Sequence, residues 1–345
     1  MAVIPEIQSG ERTVMAKIVL GIASSHSPAL LMEPKAWLKR GDTDDRHFHA
    51  LYDQRGQAVT FDDLLDRSTD ALLAELEPGL LDARHRANEA GIAAIARVLH
   101  ETDPDMIVII GDDHKEVFQD DNMPALSVYW GQTLPYRPVG LMKWKYADDL
   151  KADVWYPQEE RDYPVASDHA LRLIGDLMER GFDPAHSKFM GEGLAMSHSF
   201  GYIYHRVMTQ KVWPVIPVTI NTYYPPNQVT PGRAYQIGRA IRAAIESWPE
   251  DLRVAVIATG GLSHFVVDEE FDRDFIEILR SGGEADHAAL PREKLQSGNS
   301  ELRCWSLLAG AAEGMTFDLI DYVPCYRSPA GTGCGMAFAT WKPAT

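Results

Sequence analysis

Cysteine is scarce in this chain: 345 residues hold three, Cys304, Cys325 and Cys334, odd in number and without metal-type spacing. That argues against a disulfide framework, fits a reducing cytoplasm, and leaves all three as buried small hydrophobes. Positive charge is also short. Lys and Arg total 33 against 50 Asp and Glu, a formal net charge of −17, so no basic footprint exists for a nucleic-acid backbone. No apolar run approaches the roughly 18 residues of a membrane span. The opening MAVIPEIQSGERTV carries charge where a signal peptide is apolar. Nucleic acid, membrane insertion and export are therefore not expected.

Two motifs are absent as well. The Gly-rich fragments GEGLAMS (191–197) and GTGCG (331–335) lack the G-x-G-x-x-G phosphate fingerprint, and the H-E-x-x-H spacing of many zinc hydrolases does not occur. There is no internal repeat and no low-complexity tract. The composition, 45% hydrophobic and 24% charged, is that of a globular protein.

Four β-branched, nearly continuous apolar runs stand out: Lys17–Ile22, Met106–Ile110, Val212–Ile220 and Val254–Ala258. Such runs suit strands buried on both faces. Helical patterns lie between and after them, at Asp82–His100, Ser167–Arg180 with Ser167 as N-cap, Pro231–Trp248, Glu269–Arg280 and Glu301–Ala312. The alternation predicts one α/β domain over 15–345, with a mostly parallel central sheet flanked by helices. Residues 1–14 precede the first strand and read as a disordered upstream extension. The stretch from about 35 to 80 is polar, Asp- and Arg-rich and too long for a simple connection; it is either a helical cover over the active site or a solvated excursion.

The chemistry follows the strands. His26 comes after the first run in ASSHSP, His114 after the second in GDDHK, and His264 after the fourth in TGGLSH. Ligands of open α/β sheets bind beyond the carboxyl ends of the strands, so three histidines at matched offsets are expected to converge on one pocket. Eight of the other histidines follow none of the runs; His198, in AMSHSF, is ambiguous. After His264 comes an acidic cluster, Asp268, Glu269, Glu270 and Asp272. Acids opening a helix complement its dipole without further role. One that entered the pocket would complete, with His26 and His114, the two-histidine, one-carboxylate facial set of non-heme Fe(II). The same donors also occur in catalytic zinc hydrolases.

These motifs, together with VIPVTINTYYPP, GRAIRAAIESWPEDLRVAVIATGGLSHF and EEFD, resemble the type III extradiol ring-cleavage dioxygenases, typified by the catalytic subunit of protocatechuate 4,5-dioxygenase. The resemblance runs from Met15 to about Met336. It implies Fe(II) held by His26, His114 and Glu270, with His264 as acid/base and His198 as a second active-site histidine. It also implies that Ser297 and Ser300, in SGNSE, contact the ring substituent. The substrates would be dioxygen and a catecholic acid of the protocatechuate, gallate or 3-O-methylgallate type. The single-chain 3-O-methylgallate branch is the more similar, with the 35–80 insertion standing in for a small subunit. A homodimer is expected on general grounds. The rival readings are a zinc-dependent hydrolase or ring-opening enzyme and a non-catalytic binding protein of this fold.

Overall fold

The computed structural model describes residues 14–46, 50–137 and 159–344. Its strands are β1 (Lys17–Ser24), β2 (Leu51–Tyr52), β3 (Ala58–Val59), β4 (Met106–Gly111), β5 (Leu126–Tyr129), β6 (Thr133–Tyr136), β7 (Arg161–Pro164), β8 (Ala185–Ser187), β9 (Val215–Ile220), β10 (Arg253–Thr259), β11 (Thr316–Tyr326) and β12 (Gly333–Lys342). Eight form one mixed sheet in the order β11-β12-β1-β10-β4-β9-β5-β8. Its centre, β1-β10-β4-β9, is parallel throughout. The α/β expectation holds. The antiparallel β11–β12 hairpin beside β1 is an addition that the sequence reading did not foresee.

Buried central strands explain the continuous apolar runs. Along β10, Val254, Val256 and Ala258 enter one core, whereas Ala255 and Ile257 enter the other; β4 divides in the same way, with Val108 and Ile110 against Ile107 and Ile109. Successive side chains point to opposite faces, so a strand covered on both sides must be apolar at every position. Each such Ile or Val contributes roughly 1.5–3 kcal/mol by leaving water. The helices Ser167–Glu179, Pro231–Ile245 and Leu302–Ala311 cover one face. The helix Pro78–Thr102 and the segment His198–Val207 cover the other. Ser167 is the first helical residue rather than the cap: its hydroxyl donates to the Trp130 carbonyl at 2.6 Å.

Strand register sets up the site. Ser24 pairs with Thr259, Ala258 with Ile110, and Gly111 with Thr219. The four central strands therefore end on one line, and the residues after each emerge at the same edge of the sheet.

The expected insertion consists of short helices at Pro34–Gly41, Phe61–Leu65 and Asp70–Ala74 and the small β2–β3 hairpin. Leu51 and Leu64 pack on Val266 and Ala330. Asp44, buried, accepts from Arg327 Nε at 2.7 Å and from Arg40 at 3.1 Å, as well as from Thr332 Oγ1. The insertion is thus fastened to Val266, two residues after His264, and to the turn between β11 and β12. No described helix is long and apolar enough to cross a membrane. The expectation for residues 1–14 lies, Val14 apart, outside the described residues.

Candidate metal centre and active site

His26 follows the end of β1 by two residues, and its Nδ1 lies 2.8 Å from Oγ1 of Thr259, the last residue of β10. A hydroxyl both donates and accepts, so Thr259 can support either imidazole tautomer. Asp112 and His114 follow β4, with His114 Nε2 3.0 Å from Asp112 Oδ2. His264 lies in the loop between β10 and the helix Glu269–Ser281. Its Nδ1 donates to the Leu262 carbonyl at 2.8 Å, and its ring lies between Gly261 and Gly298. A Cβ on Gly298 would fall 2.1 Å from Cδ2 of that ring, and one on Gly261 would fall 2.6 Å from Cε1. His198 opens the helix His198–Tyr202 and places its Nε2 3.0 Å from His26 Nε2.

Besides Asp112, Glu301 joins these groups and reaches three of the rings. Its Oε1 lies 3.1 Å from His264 Nε2 and 3.4 Å from His114 Nε2, while its Oε2 lies 3.4 Å from His26 Nε2. The Gly261 N–H donates to Oε2 at 2.6 Å. Glu270, the acid expected here, is exposed on the outer face of the helix Glu269–Ser281 and belongs to neither metal-type grouping among the described residues. That helix buries Phe271, Asp272, Phe275, Ile276 and Leu279, which turns position 270 toward water. Asp272 points inward but is taken up by Ser263 N–H and Oγ and by the Tyr322 hydroxyl, each at 2.7 Å.

The structure therefore brings His26, His114, His198 and His264 together around Glu301 and leaves Glu270 outside the group. Ser300 is fully buried, its hydroxyl without a hydrogen-bond partner; Ser297 is half-buried with φ of 49°. Asp112, Glu116 and Glu301 are not among the site residues expected from the sequence, where Glu301 only opens a helix. The signal for Glu301 was available: it precedes LRCWSLLAGA, a helix apolar nearly all round, and an acid at the mouth of a buried helix cannot face solvent.

Asp112, His114 and Glu301 bring one ligand atom each within 4.8 Å of one another, as do His26, Asp112 and His198. Ligand atoms about 2.1 Å from a common cation stand roughly 3–4 Å apart, the spacing seen around Glu301. Asp112 Oδ1 and His114 Nε2 are buried without a hydrogen bond of good geometry. Electrostatics gives the same result. Burial pushes His26 down to about 4 despite Glu301, which favours the neutral imidazole, the form that ligates metals. Burial opposes charge on His114 and His264 too, but Asp112 and Glu301 beside the first, and Glu301 beside the second, hold both well above the usual histidine range. Burial would raise Glu301, yet His264 and His26 keep it well below the usual carboxylate range. The buried carboxylates demand positive charge, and a divalent cation fits that demand.

A family model described as the catalytic LigB subunit of aromatic ring-opening dioxygenase matches residues 71–330. The chain belongs to this family. The matched stretch of the LigB family holds His114, His198, His264 and Glu301, whereas His26 and the first part of the insertion precede it. Among individual proteins, the chain is 38% identical over 132 residues to a gallate dioxygenase of Pseudomonas putida, covering 34% of this chain and 37% of the relative. It is 28% identical over 178 residues to a 2,3-dihydroxyphenylpropionate/2,3-dihydroxicinnamic acid 1,2-dioxygenase of Comamonas testosteroni, covering 52% and 49%. With a protein of the same description from Rhodococcus globerulus it shares 29% over 202 residues, covering 58% and 56%. The chain spans between about a third and just over half of these relatives' lengths.

Proposed function

We propose that this protein is a cytoplasmic, Fe(II)-dependent extradiol dioxygenase that opens the ring of a catecholic acid of the gallate, 3-O-methylgallate or protocatechuate type. The carrying observation is one buried carboxylate, that of Glu301, which lies within 3.4 Å of three imidazoles that arrive from separate parts of the chain. His26, His114 and Glu301 would hold the metal, with Asp112 beside them, as a two-histidine, one-carboxylate set. Bound Fe(II) would supply a Lewis acid with open positions and a path for electrons between a catechol and dioxygen.

The protein's own groups then have defined tasks. The carbonyl of Leu262 fixes the Nδ1–H of His264, so proton exchange falls to Nε2. With Glu301 engaged by a cation, that nitrogen is free to take a hydroxyl proton from an arriving catechol and return it during cleavage. Burial excludes water: His26 is 4% exposed and Glu301 1%. The Ser300 hydroxyl, buried without a partner, and Ser297 are the groups proposed to meet a ring substituent. The insertion, by holding Val266 and the turn between β11 and β12, forms the cover. The similarity to a gallate dioxygenase supports the substrate class, and the free, buried cysteines support the compartment. A homodimer is the expected assembly, checked by light scattering.

Anaerobic loading with Fe(II) or Zn(II), then oxygen-electrode assays on protocatechuate, gallate, 3-O-methylgallate and catechol, tests the reading. The expected result is one dioxygen consumed per ring opened with iron and none with zinc. Zinc-dependent turnover without oxygen uptake would overturn it, as would inertness toward every catechol. His264→Phe should keep its iron and lose turnover by roughly 10²–10⁴-fold, the range of general acid–base catalysis.

A further inference from the structure

Glu116 lies two residues beyond His114, on the far side of a tight reversal. Lys115 adopts φ of 62°, and the Asp113 carboxylate accepts the N–H groups of Val117 at 2.8 Å and Phe118 at 3.1 Å. This turn lets residues 114 and 116 both reach the centre. Glu116 is 6% exposed and grips His198 twice: its carboxylate accepts the His198 backbone N–H at 3.1 and 3.2 Å, and one oxygen lies 2.7 Å from His198 Nδ1. The other face of the same ring looks into the site, with its centroid 4.6 Å from those of both His26 and His114.

We infer that Glu116 is a positioning residue that locks His198 in the Nδ1–H tautomer, so that its Nε2 faces the metal site as a proton acceptor for the substrate. A carboxylate whose oxygens accept the backbone N–H as well can only accept at Nδ1, so that nitrogen carries the proton in the neutral ring. The lone pair is then left at Nε2, the atom 3.0 Å from His26 Nε2. Carboxylates behind imidazoles commonly fix tautomer and ring orientation at metal centres. The inference rests on the dioxygenase reading for the identity of the substrate, but the tautomer stands on geometry alone.

The test reads the tautomer directly. In mildly alkaline buffer, ¹⁵N–¹H correlation spectra of the protein loaded with Zn(II) as a diamagnetic stand-in should show His198 protonated at Nδ1 and bare at Nε2. Glu116→Leu should move the proton to Nε2 and lower kcat of the iron enzyme about 10–100-fold, with KM for the catechol and metal content unchanged. Glu116→Gln, which keeps an acceptor oxygen, should recover part of both signals. An Nε2–H tautomer in the unaltered protein overturns the proposal even if Glu116→Leu fails to fold, and unchanged kcat in a folded Glu116→Leu overturns it as well. If the unaltered protein opens no catechol, the functional reading fails while the spectra still judge Glu116.

Discussion

The helices Glu269–Ser281 and Leu302–Ala311 lie near the same pocket, and acids stand at the mouth of each, yet the two mouths do opposite things. The first offers Asp268, Glu269, Glu270 and Asp272 and buries only one stripe of its surface. Asp268 caps it by accepting the Phe271 N–H at 3.1 Å, and Glu270 faces water. The second offers a single acid, Glu301, and every residue of its helix is buried. A carboxylate there has no route to solvent, and leaving it unpaired would cost several kcal/mol. It therefore takes the Gly261 N–H and three imidazoles as its partners. The role of an acid at a helix start depends less on its neighbours in sequence than on whether the helix behind it is wet or dry.

Substitutions at the two mouths should break or sharpen this contrast. The largest effect belongs to Glu301→Gln, which removes the shared charge. Metal affinity, read by titration calorimetry, should fall by more than the roughly 10–100-fold typical of outer-shell changes, and full retention would remove Glu301 from the centre. Asp272 comes next. Burial, ahead of its hydrogen bonds from Ser263 and Tyr322, raises its carboxyl to about 7. Because that lies above the unfolded value of 3.8, its contribution to stability is fully present below about pH 4 and is lost as pH rises through about 7, a change on the order of 4 kcal/mol at most. Urea midpoints measured at pH 4 and pH 8 should show this slope in the natural protein and a flatter one in Asp272→Asn; identical slopes would contradict it. Smallest is Glu270→Gln, which should leave metal content unchanged and stability within about 0.5 kcal/mol. Loss of metal there would restore Glu270 to the site and undo the contrast.

Much of the scaffold was legible. Runs such as MIVII and VAVIA declare strands covered on both faces, and the histidines after them mark the end of the sheet where those strands finish. The β11–β12 hairpin was not legible, because half-exposed positions interrupt the apolar run of β11. Within the site, His26, His114 and His264 were visible because each follows its strand closely. Glu301 carries a weaker signal, the apolar helix behind it, and its distance of 37 residues from His264 gives no hint of which histidines it meets. Glu116 carries no sequence signal, being one acid in a polar stretch that the reversal at Lys115 brings back to the site.

The amino-acid sequence alone determined the buried central strands and the histidines that follow them, because a strand covered on both faces must be apolar at every position and the residues just after it emerge at its carboxyl end. Tertiary structure decided which carboxylate those histidines share and which one steadies His198. That choice depends on which helix faces are buried and how one loop reverses, and both emerge only when segments far apart in the chain pack together.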